Sequence, residues 1–152
     1  MSEDKELKIV SRTAQLNTPA PMIYRLISDF SFMGKIDPPD KRIKIISSDA
    51  DSCRILVEGG GELGLRITER EENSLVKITS EPGSKFEFKM WFQLKEVKAY
   101  DTRLRITLHA SMNSFMKMVA QKPLTNFVES IISQLEKQFQ VSDTTYDTNY
   151  EA

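Results

Sequence analysis

The sequence predicts one α+β domain in which an antiparallel sheet is followed by a single long helix. Six strand-like runs follow one another between residues 42 and 112, with no helix-length segment between them. Strands joined by such short turns form an antiparallel meander, because parallel neighbours need long crossovers. A further strand and a short helix precede the meander, and a long amphipathic segment follows it.

Size and composition fit one globular domain and exclude several classes of function. The chain has 152 residues, of which 39% are hydrophobic, and this is enough for one buried core. A net charge of -1 leaves no basic excess to bind nucleic acid. No apolar run reaches the roughly 20 residues that span a bilayer. The polar, acidic start is unlike a secretory signal. We therefore expect a cytoplasmic protein with no transmembrane segment and no nucleic-acid partner.

The first elements are a strand and a short helix. Residues 7–16 are rich in β-branched side chains and predict the strand. Asn17 or Thr18 can cap the helix, and Pro19 suits its first turn. The apolar residues of this helix recur at helical spacing: Ile23, Leu26, Ile27 and Phe30. Gly34 and the pair Pro38 and Pro39 then predict a loop.

Glycines 59, 61 and 64 match the G-x-G-x-x-G spacing of dinucleotide-binding loops. In those loops the last glycine opens a helix whose N-terminal amides bind the pyrophosphate. Here an alternating strand follows instead, so we predict a β-hairpin with a turn at residues 59–61. The predicted register places these pairs on one buried face: Val57 with Leu63, Ile55 with Leu65, and Cys53 with Ile67. The nucleotide hypothesis therefore loses its support.

The last two strands alternate most clearly. One face carries Phe86, Phe88, Met90, Phe92 and Leu94, and the other carries mostly charged or amide side chains. Matching this face to the next strand pairs Leu94 with Leu104, with a turn near residues 98–100. Trp91 and His109 then fall on the wet face. We predict a cation–π contact between Trp91 and Arg105 and a solvated His109.

The long segment after the sheet is an amphipathic helix with a proline inside it. Its apolar positions recur at helical spacing: Val119, Ala120, Leu124, Phe127, Val128, Ile131, Leu135 and Phe139. Pro123 removes one backbone donor and predicts a kink or a break near residues 119–122. Residues 141–152 have no periodicity and predict a disordered tail, so the domain is expected to span residues 1–140.

The order of elements resembles that of the START-like, or SRPBCC, superfamily, over about residues 7–139. The segment AQLNTPAPMIYRLISDF is similar to the superfamily's opening pattern. The matching positions are Ala14, Leu16, Pro19, Ile23, Tyr24, Ile27, Ser28 and Asp29. The segment NSFMKMVAQKPLTNFVESIISQLEK resembles the closing helix of short bacterial members labelled polyketide cyclase-like. Both motifs are signatures of a fold and neither is a catalytic signature.

The resemblance implies a helix-grip, in which a curved seven-stranded antiparallel sheet wraps around the last helix and leaves an apolar cavity. Relatives hold sterols, lipids, polyketides, plant hormones or aromatic substrates there, or bind partner proteins. We therefore expect a small hydrophobic molecule as the partner, entering between the start of the last helix and the loop at residues 30–39. The expected ligand-binding residues are Tyr24, Phe30, Phe32, Met33, Phe86, Phe88, Met90, Phe92, Met112, Phe115, Met116 and Val119. Plain core packing of these side chains is the alternative interpretation.

No catalytic constellation can be identified. One histidine and one cysteine cannot form a His/Cys zinc site or a two-histidine iron site within this chain, and we expect no metal and no cofactor. Arg12 and Glu69 would both face inward if strand alternation held to the strand ends, where they would orient a ligand head group or move a proton. The alternative places both charged heads in water.

Three functions remain open from the sequence. The leading hypothesis is binding of a lipid, polyketide or aromatic ligand in the cavity. The second is an enzyme of the polyketide cyclase or aromatase kind, which needs an inward polar residue that transfers a proton. The third is a protein-binding adaptor with a closed core, for which the outer face around Trp91 would be the working surface. The sequence does not indicate an oligomeric state.

Overall fold

The computed structural model describes residues 6–35, 41–59, 61–84 and 86–151, without the side chains of residues 33, 34 and 140–151. Eight strands lie within these ranges. They are β1 Glu6–Val10, β2 Ala14–Leu16, β3 Ile43–Ser48, β4 Ser52–Val57, β5 Gly61–Glu71, β6 Leu75–Ser80, β7 Glu87–Lys98 and β8 Asp101–Ser111. Helix α1 is Ala20–Ile27, a 3₁₀ segment spans Phe30–Lys35, and helix α2 is Ser114–Glu151.

All strand pairs are antiparallel, and the strands form one sheet in the order β1-β8-β7-β6-β5-β4-β3, with β2 also paired to β8. Helix α2 contacts β1 and β2 near one edge of this sheet and β3 at the other edge. The sheet therefore curves around the helix, which confirms the predicted α+β helix-grip.

The predicted first strand is two strands that share the neighbour β8. Val10 pairs with Thr107 in β1, whereas Ala14 pairs with Leu104 in β2, so the first strand carries one extra residue between these pairs. Ser11 fills the break: its amide donates to the Ile106 carbonyl at 2.8 Å, and its hydroxyl accepts from the Ile106 amide at 2.9 Å. Because side chains alternate with period two, one extra residue exchanges the two faces.

Both ends of α1 are held by side chains from the sheet. The helix begins after Pro19, and the Glu96 carboxylate of β7 accepts the Ala20 amide at 2.9 Å. The predicted cap from residue 17 or 18 is therefore wrong, because an acceptor from another strand takes that role. At the other end, Arg70 of β5 donates to the Ser28 carbonyl at 3.0 and 3.1 Å.

The 3₁₀ segment replaces part of the predicted loop after α1. Its first amide, on Phe30, donates to the Ala50 carbonyl between β3 and β4 at 3.0 Å. The proline pair of the predicted loop lies at residues 36–40, outside the described residues.

The glycine-rich segment forms a hairpin, as predicted, in a register displaced by two residues. Val57 pairs with Gly61 and Ile55 pairs with Leu63, and residues 58 and 59 form the described part of the turn. A displacement by two residues keeps the same face inward. The apolar set is buried as expected: Cys53, Ile55, Val57, Leu63, Leu65 and Ile67.

Helix α2 is continuous through Pro123, so the break expected near residues 119–122 does not occur. The Thr125 hydroxyl donates to the Gln121 carbonyl at 2.7 Å. The α2 backbone is helical to Glu151, while its side chains are described only as far as Phe139, so the disordered tail stays a prediction. Within the described part of the chain, neither helix has the length and apolar character needed to cross a membrane.

Candidate ligand-binding interior

The last two strands build one wall of the space that faces α2. Leu94 pairs with Leu104, as predicted, and this register places the apolar faces of β7 and β8 on the same side of the sheet. Phe88, Met90 and Phe92 are fully buried there. Strand β8 adds Leu104, Ile106, Leu108 and Ala110. The wall is apolar because alternation sends most of the charged residues of both strands outward.

Helix α2 supplies the opposite wall. Its buried stripe consists of Ala120, Leu124, Phe127, Val128, Ile131, Ile132 and Leu135. Ile23 and Ile27 of α1 and Phe30 of the 3₁₀ segment belong to the same buried cluster. The sheet, the two helices and the 3₁₀ segment thus enclose one apolar interior.

Seven of the predicted ligand-binding residues are buried in this interior: Phe30, Phe32, Phe86, Phe88, Met90, Phe92 and Met112. Tyr24 and Met116 are half-buried and pack against the same cluster. Val119 is half-buried beside the β4–β5 turn. The Met33 side chain lies outside the described residues. Phe115 is 66% exposed, so its predicted inward orientation is wrong. Successive residues of a helix point about 100° apart, and Met116 takes the inward direction.

Within this interior, solvent accessibility is lowest at the middle of the long strands and slightly higher at their ends. Phe88, Met90 and Phe127 are inaccessible to solvent or nearly so, whereas Phe86 and Met112 keep 8% of their surface accessible. Phe86 precedes the first residue of β7 and Met112 follows the last residue of β8, and these two strand ends pair with each other. Met116 lies one turn further on. This end is the candidate entrance to the interior.

The few buried polar residues have hydrogen-bond partners or lie at strand ends. The Thr102 hydroxyl donates to the Thr18 carbonyl at 2.7 Å. Asp101 accepts from Arg103 at 3.0 Å, and this bond lowers the pKa of the Asp101 carboxyl. Across the described residues, no buried side-chain nitrogen or oxygen lacks a partner. The interior described here therefore offers an apolar surface and no unpaired polar group.

Arg12 and Glu69 both point away from the interior. The Arg12 guanidinium pairs with Glu129 at 3.2 Å and with Glu136, both on α2, and its pKa is raised chiefly by the hydrogen bond to Glu136. Glu69 is exposed opposite Lys77. The predicted inward pair is wrong, because each residue lies at a one-residue register shift that changes the phase of its strand.

Solved structures share this arrangement of sheet and helix. A START superfamily protein from Mycobacterium smegmatis superposes with a TM-score of 0.59 at 17% identity, covering 88% of this chain and 98% of its own. A protein from Nitrosospira multiformis superposes with a TM-score of 0.61 at 14% identity, covering 91% of this chain and 99% of its own. The chain has a START-like fold. A norcoclaurine synthase point mutant from Thalictrum flavum was solved in complex with a transition state analogue. It superposes with a TM-score of 0.59 at 10% identity, covering 91% of this chain and 99% of its own. No protein-family model and no sequence among the curated proteins matches the chain.

The outer face of the START-like sheet carries a small aromatic cluster. The Lys77 ammonium lies 5.7 Å from the centre of the Trp91 ring, and the His109 ring meets Trp91 edge-on at 5.1 Å. His109 also lies 3.1 Å from Glu6. The predicted partner of Trp91, Arg105, bonds Gln93 instead. Lys77 takes the contact because it is the direct cross-strand neighbour of Trp91.

Cys53 lies on the buried face of β4 and is not positioned for chemistry. Burial raises the pKa of its thiol to about 12, so the thiolate that attacks electrophiles or binds metals is scarce at neutral pH. Among the residues that the structure describes, no three acidic, histidine or cysteine side chains are grouped to hold a metal ion.

Proposed function

We propose that this START-like protein binds a small hydrophobic ligand between its sheet and α2. The observation that carries the proposal is the continuous apolar interior between the sheet and α2, at one end of which lie Phe86 and Met112, each 8% exposed, and the half-buried Met116. Aromatic and methionine side chains adapt to irregular apolar molecules. Burial of apolar ligand surface contributes roughly 25 cal/mol per Å² before the cost of ordering is subtracted.

The chemistry of the interior favours a neutral ligand, such as a lipid, a polyketide or an aromatic compound. A charged group placed there would lose its hydration without gaining a partner, because the buried polar side chains are already hydrogen-bonded. The norcoclaurine synthase neighbour was solved in complex with a small molecule. That complex supports the proposal because a protein with the same fold binds a small molecule.

The two other hypotheses have less support. A cyclase or aromatase needs an inward side chain that transfers a proton, and the two candidates for that role, Arg12 and Glu69, are exposed. An adaptor working through Trp91 needs that ring available, yet Lys77 and His109 already contact it. Ligand binding is therefore the function that the geometry supports best.

Two methionines near the candidate entrance provide a matched test. Met116 packs against the core, whereas Met118, two residues further along α2, is 74% exposed. We expect Met116→Ala to weaken binding of the neutral fluorescent dye Nile red about fivefold, because a side chain of this size contributes about 1 kcal/mol when partly buried. Met118→Ala and His109→Ala should leave the affinity unchanged. The measurement is a fluorescence titration of the purified full chain.

Equal effects of the three substitutions, or no saturable dye binding by the wild-type protein, would count against an internal site. A native mass spectrum gives an independent check. The proposal expects an extra mass that co-purifies with the protein and disappears after organic extraction, whereas bare protein would favour a closed core.

A further inference from the structure

A second concave site lies outside the sheet–helix interior, where α1, the 3₁₀ segment and the end of α2 meet. This surface cleft has a volume of about 270 Å³. Met22 and Leu26 lie one turn apart on α1, Phe32 comes from the 3₁₀ segment, and Phe139 comes from α2. Together they give the cleft an apolar floor.

The rim of the cleft is charged, with cations in excess. Arg25 and Lys35 both line it, and neither forms a salt bridge to any other residue within the described ranges. Asp29 is the one carboxylate among the described lining residues. Its Oδ1 accepts the Ser31 amide at 2.9 Å, and its pKa is lowered chiefly by this bond and further by the charges of Arg70 and Lys35. Asp29 is thus ionised and hydrogen-bonded to the backbone.

We propose that this cleft binds a small amphipathic monoanion, specifically an aliphatic or aromatic carboxylate. Its apolar part packs on Met22, Leu26 and Phe139, and its carboxylate lies between Arg25 and Lys35. The volume is slightly below the roughly 300 Å³ at which pockets for drug-sized molecules begin, so the ligand is a medium-chain aliphatic acid or a single-ring acid. Asp29 offsets one of the two positive charges, and a fully apolar ligand would leave the remaining net positive charge of the rim without a counter-charge.

This site is separate from the proposed interior site. The Phe32 side chain lines the cleft and is itself buried in the core cluster, so it lies between the two spaces. Among the described residues the interior has no unpaired buried polar group and suits a neutral ligand, whereas the cleft presents two cations. A bound acid would contact α1 and α2 at once and hold them together.

The test compares an acid with its neutral counterpart. Octanoate and octan-1-ol are titrated into the ¹⁵N-labelled full chain, and affinities are read from amide shifts. We expect octanoate to shift the amides of residues 29–32. The double variant Arg25→Gln and Lys35→Gln should weaken octanoate binding about fourfold, because each partly exposed ion pair contributes about a factor of two. Octan-1-ol should bind the wild type and this variant equally.

The matched control removes the same charges from the outer face of the sheet. Lys89→Gln with Arg105→Gln should leave octanoate affinity unchanged. The proposal is overturned if octanoate does not bind, if both double variants lose affinity equally, or if Met116→Ala lowers octanoate affinity while the Arg25 and Lys35 variant does not. The last result would assign octanoate to the interior. The Nile red titration reports on the interior separately, so either proposal can fail alone.

Discussion

Asp49 shows how one ionised carboxylate organises a turn. Its Oδ1 accepts the Asp51 amide at 3.0 Å, the Ser52 amide at 2.8 Å and the Ser52 hydroxyl at 3.1 Å. These bonds favour the charged form, and the Ser52 amide has the largest effect in lowering the pKa of Asp49 below its ordinary value of 3.8. The tight connection between β3 and β4 therefore depends on the protonation state of one side chain.

We expect Asp49→Asn to flatten the acid dependence of stability. Because the folded pKa is lower than the unfolded value, the stabilisation by this charge is complete above the ordinary pKa and is lost as pH falls towards the folded pKa. Asparagine keeps an acceptor oxygen but does not titrate. The wild type should be the more stable protein at about pH 6, and the difference should shrink towards about pH 3.

Urea unfolding at a series of pH values measures this difference. Glu72→Gln, in the turn between β5 and β6, removes one carboxylate elsewhere and is the charge-matched control. A stability difference for Asp49→Asn that stays constant across the pH range would show that its charge does not contribute.

For single residues, the sequence predicts burial better than it predicts partners. Alternation along β7 assigned Phe88, Met90 and Phe92 to the interior, because a period of two holds wherever the strand is regular. It did not identify Lys77 as the neighbour of Trp91, since that contact depends on how β6 is aligned with β7. Phe115 was misassigned because it lies at the very start of α2, where few flanking positions define the helical phase.

At the scale of elements, two one-residue register shifts explain why Arg12 and Glu69 were misplaced. In the first strand the buried residues change from Leu7 and Ile9 to Ala14 and Leu16, that is, from odd to even numbers. This change of phase is visible in the sequence and signals a bulge. The shift before Glu69 has no such signal, because the charged and polar residues around it do not reveal which face is inward.

The turn of the β4–β5 hairpin lies close to α2 at Gly59. Gly59 has φ of +83°, and a Cβ atom built there would lie 2.8 Å from Cγ1 of Val119. Gly83 has φ of +92° with open space around it. Alanine at either position adopts a conformation that costs about 1–2 kcal/mol. We expect Gly59→Ala to destabilise the protein by about 1 kcal/mol more than Gly83→Ala, because only Gly59 also meets a side chain.

Thermal and urea unfolding of the two variants give the comparison. Adding Val119→Ala to Gly59→Ala should recover most of the extra loss, since the shorter side chain opens the space. Equal losses for the two glycines, or no recovery in the double variant, would show that the hairpin does not press on α2.

For the whole molecule, the order of elements was sufficient to predict the fold. Seven strand-like runs and one long amphipathic helix bury their apolar faces together when the sheet closes on the helix. The dimensions of the interior could not be predicted in the same way. Periodicity identifies the side chains that face inward, such as Phe127, whereas the space between opposite walls depends on sheet curvature and on how α2 crosses it.

The position of α2 across the sheet is fixed in part by a surface contact. In this contact Arg12, which lies between β1 and β2, binds residues of α2. Arg12 pairs with Glu129 and Glu136 and lies 3.3 Å from the Ser133 hydroxyl. These three α2 residues recur at spacings of three and four, so one guanidinium spans two helical turns. Because this contact joins the first strands to the last helix, it stabilises the packing of the whole sheet on α2.

We expect Arg12→Ala to lower the free energy of unfolding by about 0.5–1 kcal/mol, the upper part of the range for exposed ion pairs, because several bonds act together. A double-mutant cycle with Glu136→Ala, measured by urea unfolding, should show positive coupling that decreases in about 1 M NaCl. The same cycle for Arg54 and Glu62, which pair at 2.5 Å within one hairpin, is the local control. Additive effects of Arg12→Ala and Glu136→Ala would mean that the Arg12–Glu136 pair does not stabilise the packing of α2 on the sheet.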